Sequence, residues 1–297
     1  MRKINNCILK NKTFFSLITV LATSLCMARV YSSDEWNEMR ERDEEICSTN
    51  PVVIETQKFG DYKVTFYQAD DWLCQRLEIQ RPGEIVYSEA EVDAHFSFGA
   101  DWPEGSQPLM NLRSDTSAQL VISKWTGGAH CCFSVLVFDI GSEFRKVDEI
   151  EGGNYYPYFE DIDRDGVSEV KVDDDFLAYR FSSFAFSAIG EVTLKYSNGH
   201  YEVSAEHMVK VPANWASLEK QIQGWQKELR ERTSPDYPPP AFIQVVTDLV
   251  FTGNKTSALE LIDHVWPADV PGKNEFLTSY EEALQDSKYY HDFEKKM

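Results

Sequence analysis

The stretch Asp161–Val172, DIDRDGVSEVKV, decides how the rest of the chain is read. Acids stand at alternate positions, Asp161, Asp163 and Asp165, followed by Gly166 and then Glu169. If the backbone coils tightly, with the glycine at its sharpest point, the three aspartates turn oxygens toward one centre, Val167 adds its carbonyl and Glu169 closes the shell. A hard cation takes about six to eight oxygen ligands, and this run supplies most of them. Three acids so placed repel one another without a counter-ion, so calcium is the expected ligand of Asp161, Asp163, Asp165, Val167 and Glu169. The twelfth position, where an EF-hand carries a bidentate Glu, is Val172, and Val170 and Val172 alternate with Glu169 and Lys171 as in a strand. The loop is therefore expected to enter a sheet, and its ion to be structural.

A second copy of the stretch lies upstream. In NLRSDTSAQLVI, from Asn111 to Ile122, Asn111 stands for Asp161, Asp115 for Asp165, Gln119 for Glu169, and Leu120 and Ile122 for Val170 and Val172. Arg113 takes the place of Asp163, so this copy is expected to bind no ion. Each copy leads into a strand and a hairpin, VLVFDIGSEFRKV (135–147) after the first and EVTLKYSNGHYEV (191–203) after the second. A weaker cousin, RLEIQRPGEIVYS, spans 76–88. A strand-rich repeat of about 50 residues headed by a turn loop is the pattern of propeller blades or stacked sheets.

The acidic loop and its following strand resemble the FG-GAP or VCBS type of β-propeller repeat, over about 111–205. That resemblance implies a calcium ion held structurally at a blade edge. The FG-GAP element itself is absent, and three units are fewer than the usual four to eight blades. The run TGGAHCC, Thr126–Cys132, is similar to one in secreted bacterial proteins and implies no activity. The fold class expected is mainly β, as propeller-like or stacked antiparallel sheet repeats, with a C-terminal α-helical region.

The first residues read as a secretory signal. Arg2, Lys3, Lys10 and Lys12 precede an apolar run from Phe14 to about Met27, shorter than the roughly 18 residues of a spanning helix. Residues 1–32 are assigned to it, with cleavage after Ser32, and no membrane insertion is expected afterwards. Cleavage removes five basic and no acidic residues and takes the formal charge from −20 to −25. So acidic a chain has no basic footprint for nucleic acid or anionic membranes. Of the six cysteines, Cys47, Cys74, Cys131 and Cys132 remain, an even number that in an exported chain reads as disulfides. Neighbours on a strand point to opposite faces, so Cys131 and Cys132 are expected to pair with Cys47 and Cys74, in either order. The expected location is periplasmic or secreted.

The remaining chain divides by pattern. Residues 33–50 hold a short charged helix. From 51 to 206 the runs YKVTFY, RLEIQ, QLVIS, FSVLVF, EVKV, EVTLKY and HYEVSA read as strands separated by Gly, Asn, Pro or Asp turns. From 207 to 297 the pattern is helical, with Trp215, Leu218, Ile222, Trp225 and Leu229 at three-and-four spacing, then SPDYPPP as a stiff linker, then helices over 242–252, 256–266 and 274–286. Leu249, Gly253, Ala258 and Leu261 are similar to the turn of a TPR-like αα-hairpin, although a helical cap on the sheet is the reading preferred.

No catalytic fingerprint is found. The chain lacks a GxSxG elbow, HExxH, P-loop or dinucleotide motif. His130 next to Cys131 and Cys132 lacks zinc-ligand spacing, His130 and Cys131 diverge on a strand, and Gly127-Gly128 reads as a turn. His95 near Asp101 is the kind of isolated pair that any chain with six histidines offers. Asp173, Asp174 and Asp175 read as a solvated loop. Tyr155, Tyr156 and Tyr158, just ahead of the acidic loop, are the candidate ligand surface, and FLAYRFSSFAF (176–186) reads as two core strands meeting at Ser182-Ser183. The function expected is an exported, calcium-stabilised binding protein without catalytic activity, with a protein or glycan partner. The alternatives are a calcium-dependent periplasmic hydrolase and a structural envelope component.

Overall fold

The computed structural model describes residues 3–4, 29–30, 45, 47, 50–69, 74–100, 107–113, 118–128, 132–212, 215–231 and 237–297. The signal assigned to 1–32, most of the helix assigned to 33–50, Asp101, His130, Cys131 and the first half of the proline-rich linker lie outside them. Glu45 and Cys47 are helical.

Thirteen strands, numbered from Val52, form three consecutive antiparallel sheets. The first holds β1 (Val52–Phe59), β2 (Tyr62–Gln68), β3 (Cys74–Arg81) and β4 (Glu84–Val92), in that order. The second runs β9 (Phe144–Gly153), β8 (Phe133–Ile140), β7 (Gln119–Trp125) and β5 (His95–Phe98), with the short β6 (Leu109–Met110) also paired to β7. The third runs β10 (Tyr158–Glu160), β11 (Glu169–Asp174), β12 (Gly190–Ser197) and β13 (His200–Val203). All three hairpins read from the sequence are present, as β3–β4, β8–β9 and β12–β13. The fold is thus mainly β, with helices concentrated at the C-terminus. The sheets do not close into a propeller.

The second sheet is the middle layer, and its alternation is apolar on both sides. Leu120, Ile122, Leu136 and Phe138 meet Val64, Phe66, Leu77 and Ile79 of the first sheet. The intervening Val121, Val135 and Val137 join a second core with Val170, Val172, Val192 and Leu194 of the third sheet and with the helices. Cross-strand pairing of Leu120 with Phe138 and of Val121 with Val137 fixes both sets at once, because a one-residue slip would exchange the faces. Between the first two sheets lies Lys124, with a side chain only 5% exposed, whose ammonium reaches Glu89 at 2.7 Å, Glu149 at 2.8 Å and Glu91 at 3.2 Å. Burial opposes ionisation of the Glu149 carboxyl, but Lys124 and Lys146 prevail and hold it at about 2.

The helices share the second core. They are α1 (Ala205–Met208), α2 (Trp215–Glu231), α3 (Pro240–Phe251), α4 (Lys255–Val265), α5 (Lys273–Asp286) and α6 (Tyr290–Lys296). Pro240 starts α3, where its missing N–H costs nothing. Gly253, at φ 80°, makes the α3–α4 turn, and Leu249, Ala258 and Leu261 are buried beside it. Ile222, Trp225, Phe242, Phe251, Leu261, Phe276 and Phe293 are buried together with the valines of the sheets, so the helices form a cap on the sheet with no core of their own. Contact is tight at Gly190, where a Cβ would lie 2.5 Å from the Phe251 ring.

Three expectations are corrected. Residues 176–186 form turns and one 3₁₀ turn, Phe184–Phe186, in place of two strands. Ala178 N–H donates to Asp175 O and Arg180 N–H to Leu177 O, so the backbone is satisfied locally; Phe181 is buried while Tyr179 and Phe186 face solvent. Asp173 and Asp174 belong to β11 and are not a solvated loop. Cys47 bonds Cys74, with Cα atoms 5.3 Å apart, so neither is left for Cys131 or Cys132. Cys132 is also disulfide-bonded.

Asp174 ties β11 to the C-terminal helices by accepting the Ser287 hydroxyl at 2.5 Å. Burial and the neighbouring Asp175 raise its carboxyl from 3.8 to about 6, against the bond from Ser287. The folded state then holds the proton more tightly than the unfolded chain, so stability should fall as pH rises from about 4 to about 6, by up to about 3 kcal/mol from this group. Denaturant titrations at pH 4 to 8 should show that slope in the wild type and its loss in Asp174→Asn, which keeps an acceptor for Ser287. A second outcome follows from Gly190: Gly190→Ala should destabilise by about 1–3 kcal/mol through its clash with Phe251, read from the shift of the denaturant midpoint.

Candidate cation-binding site

The acidic loop links β10 to β11 and coils as its spacing requires. Asp161 Oδ2 accepts the Gly166 N–H at 3.0 Å, Asp163 Oδ1 that of Asp165 at 3.1 Å, and Asp165 Oδ1 that of Val167 at 2.8 Å. Arg164 at φ 63° and Gly166 at φ 86° supply the left-handed turns. These bonds fix one oxygen of each aspartate, and ligand atoms of Asp161, Asp163 and Asp165 all lie within 4.8 Å of one another. Asp161 Oδ1 is buried and accepts no hydrogen bond.

Glu169 is the deepest member. Its side chain is 0% exposed; Oε2 accepts the Ile162 N–H at 3.1 Å, while Oε1 accepts no hydrogen bond. A buried, half-satisfied carboxylate is costly unless a cation answers it. Lys195 answers in part, with its ammonium 3.8 Å from Glu169 Oε1, 3.5 Å from Asp163 Oδ2 and 3.7 Å from Glu206. His207 closes the other side, its Nε2 3.4 Å from Asp163 Oδ2 and its Nδ1 2.7 Å from Ser204 Oγ. Desolvation works to raise the Asp163 carboxyl, but the Asp165 N–H, His207 and Lys195 outweigh it and hold it low.

The upstream copy shows the same frame with the charges exchanged. Gln119 Oε1 accepts the Leu112 N–H at 3.0 Å, as Glu169 accepts that of Ile162. Asp139 lies across from Gln119 in the β7–β8 pair, and the pairing of Val170 with Leu194 places Lys195 across from Glu169. Where the second copy has Asp163 and Lys195, the first has Arg113 and Asp139, joined at 2.8 Å. The first copy therefore carries its cation as a guanidinium in the chain. The second sets four carboxylates, from Asp161, Asp163, Asp165 and Glu169, against one nearby ammonium. The copies also touch, since Asn111 Nδ2 donates to Gly166 O at 2.5 Å and Ser168 N–H donates to Asn111 O at 3.0 Å.

The five sequence-derived candidates thus lie in one loop, with ligand atoms of Asp161, Asp163 and Asp165 in one group and Glu169 grouped with Asp163 and His207. Sequence reasoning missed Lys195 and His207, 26 and 38 positions beyond Glu169. The only signal was the alignment of the hairpins, which sets Lys195 against Asp139. The tyrosines disperse. Tyr156 packs on Phe133 with ring centroids 3.6 Å apart, Tyr155 stacks on Phe184 at 5.9 Å, and Tyr158 lies under the Lys171 ammonium. Tyr179 completes a group with Phe184 at 5.6 Å. Around TGGAHCC, the Thr126 N–H donates to Cys132 O and the Cys132 N–H donates to Thr126 Oγ1, and a Cβ on Gly127, at φ 76°, would lie 2.6 Å from Asp93 O, so this glycine is needed for a close approach. His95 is engaged by Gln75 and stacked on Trp125.

Comparison with protein families, with curated proteins and with solved structures finds no match to this chain. Among the described residues, no helix is long and apolar enough to cross a membrane. The donor set fits a hard cation. Calcium at about 100 times its Kd should add about 2.7 kcal/mol to native stability and raise the thermal midpoint by several degrees. Differential scanning in millimolar calcium and in chelator should show that shift for the wild type and none for Asp165→Asn.

Proposed function

We propose that the chain is an exported, calcium-stabilised binding protein that recognises a protein or glycan partner and turns over no substrate. The observation that carries this reading is the aromatic group on the 176–187 turn. Tyr179 is 63% exposed and Phe186 67% exposed, with the Phe184 ring beside Tyr179 and Tyr155 stacked on Phe184. Tyr179 also has a left-handed backbone, at φ 61°, which costs a non-glycine residue about 1 kcal/mol. Strain that secures neither burial nor a core contact is characteristic of residues kept for recognition. The turn is anchored from below by Phe176, Leu177 and Phe181 in the core, and Arg180 holds Ser279 at 3.1 Å and Glu282 at 2.8 Å on α5. An aromatic surface held on a rigid support orders little on binding and so loses little entropy.

The Cys47–Cys74 disulfide fits export to an oxidising compartment, and calcium is plentiful outside the cytosol. Glycans and protein hot spots are both met by rigid aromatic faces. The reading is tested with immobilised wild type and with Tyr179→Ala and Phe186→Ala, presented with envelope proteins and with a panel of soluble glycans. Both variants should keep stability to within about 0.5 kcal/mol, as surface changes do, and lose at least about tenfold in affinity for a captured partner, a loss of about 1.4 kcal/mol. Equal binding by the variants, or turnover of ester, glycan, phosphate or peptide substrates by the wild type, would overturn it.

A further inference from the structure

Asp163 belongs to two groups of ligand atoms. One is the oxygen-only centre of the loop, with Asp161 and Asp165. The other joins Asp163 to Glu169 and His207, again with every atom within 4.8 Å of the others. We propose that this second group is a separate metal position, bounded by two carboxylates and an imidazole, that takes a first-row divalent cation of the zinc type in preference to calcium.

Four observations carry the assignment. The His207 side chain is only 9% exposed, so its direction is set by the fold and not by solvent. Nδ1 is engaged by Ser204 Oγ at 2.7 Å, and Ser204 is itself buried, which leaves Nε2 facing Asp163. Engagement of one ring nitrogen by a neighbour, to orient the other, is the usual outer-shell arrangement of a metal-binding histidine. Second, Glu169, a member of the same group, has a fully buried Oε1 that accepts no hydrogen bond. Third, the 3.4 Å between His207 Nε2 and Asp163 Oδ2 is the separation of two ligands each about 2.1 Å from a tetrahedral ion. Fourth, the Lys195 ammonium already lies 3.5 Å and 3.8 Å from the two carboxylates, so this point of the fold is built for positive charge.

The donor set decides the class of ion. An imidazole nitrogen suits zinc and its neighbours in the first row, whereas calcium selects oxygen. The upstream copy has no counterpart, because its Arg113–Asp139 pair closes the corresponding position with charges of the chain. His207 lies on α1, directly after the repeat ends at Val203, so the position exists only where the third sheet hands over to the helices. The proposal shares Asp163 and Glu169 with the calcium reading, but His207 belongs to this position alone and Asp161 and Asp165 to the loop alone, so the two can fail separately.

The test is calorimetric titration of the purified protein, disulfides intact, with Zn²⁺ and with Ca²⁺, for the wild type, His207→Gln and Asp165→Asn. His207→Gln should weaken Zn²⁺ at least about tenfold and leave Ca²⁺ within about twofold, while Asp165→Asn should do the reverse. Zinc without calcium binding in the wild type would sink the loop reading and leave this one standing; calcium without zinc would do the opposite. Equal zinc affinity in wild type and His207→Gln, or parallel loss of both ions, overturns the proposal. Should His207→Gln fail to fold, ¹H–¹⁵N spectra of the wild-type imidazoles decide: Zn²⁺ must move His207 Nε2, and an unmoved resonance overturns the assignment.

Discussion

The structure depends on a middle sheet that is apolar on both faces. Strands β7 and β8 carry consecutive buried residues, Leu120 to Ser123 and Ser134 to Phe138, and each parity has its own layer to meet. One face closes on the first sheet. The other closes on a core that the third sheet and the helices build together. A sheet of this kind cannot stand at the edge of a fold, because either face exposed to water would forfeit about 25 cal/mol for each Å² of apolar surface. The demand for cover on both sides explains why the helical region is a cap and shares its core with the sheets.

The same layer fixes the candidate site. The pairing that sets Val121 against Val137 also places Gln119 against Asp139, and its repetition in the third sheet places Glu169 against Lys195. In both copies the ninth residue of the loop reaches back to the N–H of the second, so the loop is clamped to its strand by one side chain. What differs is charge. An arginine in the loop pairs with Asp139 in the first copy, and an aspartate in its place leaves the second with a surplus of carboxylate, of which Glu169 is buried. The two loops thus share a hydrogen-bond frame while their charges differ.

The polar interior has a consistent logic elsewhere. Lys124 among Glu89, Glu91 and Glu149 is a buried cation surrounded by its partners, whereas Asp174 is a buried acid met by a hydroxyl and, among the described residues, by no cation. The first arrangement favours ionisation and the second opposes it, which is why the Glu149 and Asp174 carboxyls are driven in opposite directions by environments of similar depth.

Much of this was legible in the sequence alone. The alternation of Val, Ile and Phe with turn residues determined the hairpins, the three-and-four spacing of Trp225, Leu229 and their neighbours determined α2, and Asp161 to Glu169 determined a coiled acidic loop, because each of these is a local property of spacing. The tertiary structure alone decided the rest. The 176–186 run, with aromatics at strand-like spacing, forms turns whose backbone bonds close locally, and Asp174 is buried where Ser287, more than a hundred residues away, meets it. Cys47 found Cys74 through the packing of the first sheet, which no count of cysteines could select. His207 and Lys195 joined the loop for the same reason: polar clusters are completed by residues adjacent in space, and adjacency across strands and helices is settled by which apolar faces must be covered.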